Sequence, residues 1–244
     1  EADRRKDEFL AMLAHELRNP LAPIRNSVAL LRLRAPQDPA IARARDMIDR
    51  QVNHMVRLVD DLLDVSRVSR GKIQLERAPC LIHEVVQQAI ETSRPLIDAR
   101  GHVLQVTLAP RPLWVSGDAT RLTQIVANLL NNAAKYTDAG GHIWLVVEHS
   151  ADEVSIRVRD DGRGIDPAVL PSLFDLFFQV DRNLDRSDGG LGIGLSLVQR
   201  LCALHGGHVT VHSDGRGQGS EFVVHLPLLP DPTAPSTDEG PRDP

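Results

Sequence analysis

The sequence predicts an α+β protein, a helical hairpin followed by a mixed α/β layer. Three observations predict it. Apolar residues recur every seven positions over the first quarter of the chain, β-branched runs alternate with amphipathic stretches afterwards, and Gly71 separates the two regimes. In the first helix Leu10, Leu17, Ile24 and Leu31 form one line, with Ala14, Leu21 and Val28 beside it. The second helix starts near Pro39 with Asp38 as N-cap. Its line is Ile41, Ile48, Met55 and Leu62, widened by Val52, Leu58, Val59 and Val65. The short connection at 35–39 turns the helices antiparallel. Stripes this wide exceed what one partner helix covers. A dimeric four-helix bundle is therefore expected, the alternative being a single hairpin packed on the following domain.

Beyond Gly71 the expected strands are Lys72–Arg77, His102–Leu108, His142–Glu148, Val154–Arg159, His208–His212 and Glu221–Leu226. The expected helices are Leu81–Arg100, Ala119–Tyr136, Pro167–Leu173 and Leu191–His205. One sheet covered by helices accommodates this order. Residues 230–244 hold several prolines and acids and no large apolar side chain, which reads as a disordered tail or linker.

Hydrophobic residues make up 42% of the 244, enough for a real core, but aromatics only 3%, so aliphatic packing must dominate. The two cysteines, Cys80 and Cys202, have no CxxC spacing, which excludes a disulfide framework and fits a reducing, cytoplasmic setting. No run of 18 apolar residues exists, so no membrane span or direct membrane contact is expected. The formal charge of -5 argues against sequence-independent nucleic-acid binding. The charge is uneven: residues 1–72 carry 14 Lys/Arg against 11 Asp/Glu, and the remainder 14 against 22. A net-negative domain holding a polyanionic nucleotide needs backbone donors and a divalent cation at the phosphates. The start on Glu1, directly in a charged helical pattern, leads to the expectation of an upstream region.

His15 is the most informative residue. At roughly 100° per residue it lies about 140° from Leu10 and about 160° from Leu17, away from the apolar seam. Glu16 follows it, and Asn19-Pro20 stands one turn on. A solvated histidine beside a carboxylate is placed to react, although alone it also reads as an ordinary surface histidine.

Four later segments suit a nucleotide. Asn128, Asn132 and Lys135 share a helix face at i, i+4 and i+7. Their carboxamide oxygens suit a hydrated Mg²⁺, and the lysine reaches phosphate. Asp160-Asp161-Gly162-Arg163-Gly164 follows a strand. It reads as a plain turn, or as an acid accepting from an exocyclic amine with glycines that admit a close backbone. Gly189-Gly190-Leu191-Gly192-Ile193-Gly194 opens a helix as a phosphate cradle, matching neither G-x-G-x-x-G nor the P-loop. Residues 173–180, LFDLFFQV, hold three of the five phenylalanines. They read mainly as core packing, and also as an anchor for a loop at 181–188 that closes over a ligand. His205, His208 and His212 invite a metal reading, but no acid or thiol cluster lies near them in the sequence, and a metal there is not expected.

Taken in order, HELRNPL (15–21), NLLNNAAKYT (128–137), DDGRGI (160–165), FDLFFQV (174–180), GGLGIGL (189–195) and GQGSEFVVHLP (217–227) resemble the motif boxes of bacterial two-component sensor histidine kinases. The resemblance spans about residues 6–227. It implies a dimerisation and histidine-phosphotransfer domain at 1–70, an ATP-binding domain at 72–228 built as a two-layer α/β sandwich, and a tail at 229–244. It further implies His15 as phosphoacceptor and Asn19 as orienting water in dephosphorylation; Glu16, by its chemistry, can accept a hydrogen bond from one ring nitrogen of His15 and leave the other nucleophilic. Asn132 is similar to the Mg²⁺ ligand and Asn128 to its support. Lys135 resembles a phosphate contact, Tyr136 a nucleotide-lining residue, and Asp160 the adenine reader. Gly162, Gly164, Gly190, Gly192 and Gly194 shape the pocket by the same resemblance. It implies ATP and Mg²⁺, a homodimer, and transfer to an aspartate of a response-regulator receiver domain, with regulator phosphatase activity as well. A nucleotide-binding scaffold without phosphotransfer is the alternative.

Overall fold

The computed structural model describes residues 75–178 and 192–230, together with Ile24, Ser27, Val28, Ile41, residues 43–49, Val52, Met55, Val56 and Val59. The chain divides into two compact units, Glu1–Gln74 with Leu176–Leu197, and Leu75–Asp175 with Val198–Pro244.

The described residues between 24 and 59 are helical. Val28, Val52 and Val59 are buried, whereas Ile24, Ile41, Ile48 and Met55 are about two-fifths exposed. Among the described residues the buried stripe is thus the flanking valine line, and the described members of the seven-residue lines expected as the seam, Ile24, Ile41, Ile48 and Met55, face outward within one chain. Val52 lies only about 40° around the helix from Ile48, so the two stripes are adjacent. The turn between the helices and the expected tail at 231–244 lie outside the described residues.

The second unit begins at β1 (Ala78–Leu81), which runs antiparallel to β3 (Trp114–Gly117). Helix α1 (Ile82–Ala99) follows β1, and strand β2 (Val103–Thr107) follows α1. Helix α2 (Ala119–Tyr136) leads to β4 (His142–His149) and β5 (Glu153–Asp160). A 3-10 helix (Pro167–Ser172), helix α3 (Gly194–Leu204), β6 (His208–His212) and β7 (Ser220–Pro227) complete the order. The main sheet has the strand order β2-β4-β5-β7-β6. It is antiparallel except for the β2–β4 pair, whose connection needs the long crossover that β3 and α2 supply.

Strand alternation builds the core. Ile143, Leu145 and Val147 of β4, Val154, Ile156 and Val158 of β5, and Phe222, Val224 and Leu226 of β7 are all buried. Helix α2 contributes Leu122, Ile125, Val126, Leu129, Leu130 and Ala134, and α1 contributes Val85, Val86, Ala89 and Ile97. Helix α2 matches its expected limits. Asp118 caps it by accepting from the Arg121 N–H at 3.1 Å, and Thr137 leaves it in extended backbone.

Three expectations are corrected. One sheet was expected, but β1 and β3 form a separate two-stranded sheet, and β3 follows a Pro-rich stretch that hid its short pattern. The first described strand is Ala78–Leu81, and residues 75–77, the described part of the strand expected at Lys72–Arg77, are not strand; Pro79, which cannot donate to a ladder, is tolerated in a two-stranded edge. The helix expected at Pro167–Leu173 is a 3-10 turn, since Pro171 removes an internal donor.

His205, a buried polar side chain, ties the end of α3 to the junction of β3 and α2. Its Nε2 accepts from the Asp118 N–H at 3.1 Å, and its Nδ1–H donates to the Leu201 carbonyl at 2.8 Å. One neutral tautomer satisfies both bonds, whereas an imidazolium turns Nε2–H against the Asp118 N–H. The ring lies so near β3 that a Cβ on Gly117 would come within 2.6 Å of it. Burial, chiefly, lowers the His205 pKa below its ordinary 6.5. The stability this ring contributes is therefore present above about pH 6.5 and lost as the pH falls below that value. In urea unfolding between about pH 7.5 and pH 5.5, wild type should lose more stability than His205→Gln. Parallel losses would remove His205 as the titrating group.

Candidate functional site

The loop after β5 and the C-terminal end of α2 meet at one end of the main sheet. Asp160 ends β5 and is 4% exposed. Its Oδ2 accepts from the Ser220 hydroxyl at 2.6 Å, directly across the β5–β7 ladder, and its Oδ1 accepts from the Gly162 N–H at 2.9 Å. Burial raises the Asp160 pKa, outweighing the opposing pull of the Ser220 and Gly162 hydrogen bonds. Burial therefore works against the ionised form, and the group is better explained by what it receives than by what it stabilises. The Ser220 backbone also bonds the carboxylate, whose roughly four lone-pair sites leave capacity for a further N–H donor.

Gly162 and Gly164 are required by the backbone around them. A Cβ at Gly162 would lie 2.5 Å from the Tyr136 carbonyl and 2.8 Å from Asp160 Oδ1. Gly164 has φ +63, and its Cβ would overlap the Gly215 carbonyl. The Arg163 N–H donates to the Tyr136 carbonyl at 3.1 Å, and Gly219 N–H to the Gly162 carbonyl at 3.0 Å. The loop is thereby bonded both to the end of α2 and to the entry of β7, so the plain-turn reading of this segment understates it. Asp161 plays a different part: its Oδ1 accepts from the His142 N–H at 2.7 Å.

On α2, Asn128, Asn132 and Lys135 are half-buried on their shared face. Asn128 Nδ2 is buried and finds no hydrogen-bond partner among the described residues, and the same holds for Thr137 Oγ1. Lys135 Nζ lies 3.2 Å from the Tyr136 hydroxyl and 4.8 Å from its ring centroid, leaving Tyr136 half-exposed. Buried orphan polar atoms cost stability unless a ligand or water meets them. Carboxamides suit a hard cation and, beside a lysine, the phosphates it carries.

Sequence reasoning missed Ser220 and Thr137. The signal for Ser220 is non-local, since it becomes visible only once β5 and β7 are paired.

In the other unit, Gly192 has φ +72, and a Cβ there would lie 2.6 Å from the Phe178 carbonyl. The Phe177 N–H donates to the Gly192 carbonyl at 3.1 Å. The glycine and phenylalanine segments are thus bonded to each other. Phe177 itself corrects the core-packing expectation: it is 49% exposed and holds φ 65, a backbone region non-glycine residues rarely adopt. A Cβ at Gly194, the first residue of α3, would meet open space. His15, Glu16, Asn19, Gly190 and the loop at 181–188 lie outside the described residues.

Residues 5–71 match the family described as His Kinase A (phospho-acceptor) domain. Residues 117–230 match the histidine kinase-, DNA gyrase B-, and HSP90-like ATPases. The chain is 37% identical to the circadian input-output histidine kinase CikA of Thermosynechococcus vestitus, over 98% of this chain and 34% of that protein. It is 34% identical to the sensor histidine kinase RcsC of Escherichia coli K12, over 93% of this chain and 24% of the relative. The alginate biosynthesis sensor protein KinB of Pseudomonas aeruginosa is also 34% identical, over 93% and 38%. The chain thus spans between a quarter and two-fifths of these relatives. Among solved structures, full-length ShkA in complex with AMPPNP superposes with a TM-score of 0.74 at 30% identity, covering 91% of this chain and 46% of that one. Two matched domains in this order, over an α/β unit with a buried acid at its sheet end, lead to one conclusion: the chain belongs to the sensor histidine kinases of two-component systems.

Proposed function

We propose that this chain is the kinase portion of a sensor protein: it binds ATP in its second domain and transfers the γ-phosphoryl group to His15. The observation that carries this reading is the coexistence of a phospho-acceptor domain containing His15 with an ATPase-type domain whose Asp160 is buried and fixed by Ser220 and Gly162. We take the domain limits as 1–70 and 72–228, with a tail at 229–244, although Leu229 still pairs with Trp114.

The roles follow from the chemistry. Asp160 accepts from the exocyclic amine of adenine, with Thr137 Oγ1 an unspent polar group beside the loop. Gly162 and Gly164 keep that loop close to α2, and Tyr136 offers an exposed ring to the base. Lys135 contacts phosphate, and Gly190, Gly192 and Gly194 offer backbone N–H groups to the phosphates at the start of α3. The half-buried Asn132 carboxamide fits a Mg²⁺ ligand, supported by Asn128, whose Nδ2 awaits a partner. When bound, Mg²⁺ neutralises charge on the phosphate oxygens.

At His15, neutral imidazole is the nucleophile, since its reference pKa is about 6.5. Glu16 accepts a hydrogen bond from one ring nitrogen and leaves the other basic. The N–P bond forms as the bond from the γ-phosphorus to the β–γ bridging oxygen breaks, and ADP leaves with those electrons. The phosphoramidate then passes its phosphoryl group to an aspartate of a receiver domain. Asn19, one turn away, orients water to hydrolyse the aspartyl phosphate of the regulator, which releases inorganic phosphate. The exposed line Ile24, Ile41, Ile48 and Met55 supports a homodimeric bundle, because apolar residues at seven-residue spacing suit a second copy. Dependence on ATP and the free Cys80 and Cys202 support a cytoplasmic setting.

His15→Gln should abolish acid-labile labelling by γ-³²P-ATP while nucleotide affinity persists; retained label assigns the phosphoryl group elsewhere. Asn132→Asp should lose Mg²⁺-dependent ATP affinity, and an unchanged affinity removes it from the metal. Asn19→Ala should lower dephosphorylation of the regulator more than autophosphorylation. Equal losses in the two assays argue for a folding effect instead.

A further inference from the structure

We propose that Glu153, His208 and His225 form a binding site for a borderline divalent transition-metal ion, Zn²⁺ in the first instance, on the solvent face of the main sheet. His208 of β6 stands directly opposite His225 of β7, and Glu153 belongs to β5, the strand on the other side of β7. Ser155 is the residue opposite His225, so Glu153, two residues earlier, lies on the same sheet face. The neighbours of His225 along its strand, Val224 and Leu226, point into the core. Three adjacent strands thus present one donor side chain each to the same patch.

The side chains are already gathered. The two imidazole rings stack with centroids 4.4 Å apart and planes inclined by only 5°. His225 Nδ1 lies 3.4 Å from Glu153 Oε2. One ligand atom from each residue lies within 4.8 Å of the others. Ligation requires the two stacked rings to rotate so that their in-plane nitrogens converge on one ion, while the backbone positions are held by the ladders. His225 and Glu153 are partly shielded, with side-chain exposures of 23% and 40%.

The donor set fixes the class of ion. Two imidazole nitrogens and one carboxylate are the ligands Zn²⁺ takes when a coordination position stays open. Mg²⁺ prefers oxygen donors and gives up its water reluctantly, so the same patch discriminates against it. The site is separate from the proposed nucleotide site: Glu153 and Asp160 are the two ends of β5, roughly 23 Å apart along an extended strand. Among the described residues, three other solvent-accessible histidines have different neighbours. His212 faces Asp214, His142 faces Asp161, and His149 lies against Arg111. A bound ion ties β6 through β7 to β5, and by binding only the folded chain it raises thermal stability with metal concentration.

The test is calorimetric titration of the chelator-treated 244-residue chain with ZnCl₂, alongside thermal unfolding. One high-affinity Zn²⁺ per chain is expected, with an unfolding midpoint that rises as zinc is added and does not respond to equimolar Mg²⁺. His208→Asn and His225→Asn should each weaken zinc binding by at least about tenfold and cancel the thermal shift. Glu153→Gln should weaken it without altering the unliganded fold, and His149→Ala should leave it unchanged. Zinc affinity retained in all three site variants, or a thermal shift reproduced by Mg²⁺, overturns the site.

Discussion

The hydrogen-bonded burial of Asp160 is the constraint on which the ATP-binding unit turns. An acid at 4% exposure is costly, and its raised pKa expresses that cost. Three structural features meet at it: the β5–β7 register that sets Ser220 opposite, the Gly162 N–H that folds back on Oδ1, and the Tyr136 carbonyl that leaves no space for a Cβ at 162. Shift the register by one residue and the carboxylate faces the opposite side of the sheet without its hydroxyl partner. The core of aliphatic side chains beneath it makes such a shift expensive, since it would expose Val154, Ile156 and Val158 together.

A second polar anchor, His205, ties the end of α3 to the junction of β3 and α2. It uses the neutral ring as donor and acceptor at once, against Leu201 and Asp118. Asp118 also caps α2, so the same residue that receives the histidine's support starts the helix carrying Asn128, Asn132 and Lys135. Packing, capping and the polar face of α2 are therefore parts of one arrangement, and Gly117 is small because the imidazole needs its space.

Much of this was legible in the sequence where the signals are local. Helix α2 was readable because Asp118 is a good cap and its apolar residues keep one period. Strand β6 was readable from His208–His212 alternation. Of the motif residues, Asp160, Gly162 and Gly164 lie on one loop, which the Arg163 N–H bonds to the Tyr136 carbonyl at the end of α2. What was not legible depends on pairing between distant strands. Ser220 belongs beside Asp160 only through β7. His208 belongs with His225 and Glu153, not with His205 and His212, because strand neighbours rather than sequence neighbours share a face. Phe177 looked like core because of its composition, yet its positive φ and hydrogen bond to Gly192 hold it outward.

The proposed reading of an amine on the base by Asp160 is tested most directly by comparing ATP with inosine triphosphate, which carries a carbonyl in place of that amine. Titrated into the full chain with Mg²⁺ present, ATP should bind at least about tenfold more tightly, in keeping with the ~1.5–3 kcal/mol of a hydrogen bond to a charged group. Asp160→Asn should remove most of that preference. Equal affinities for the two nucleotides in the unaltered chain would contradict the assignment.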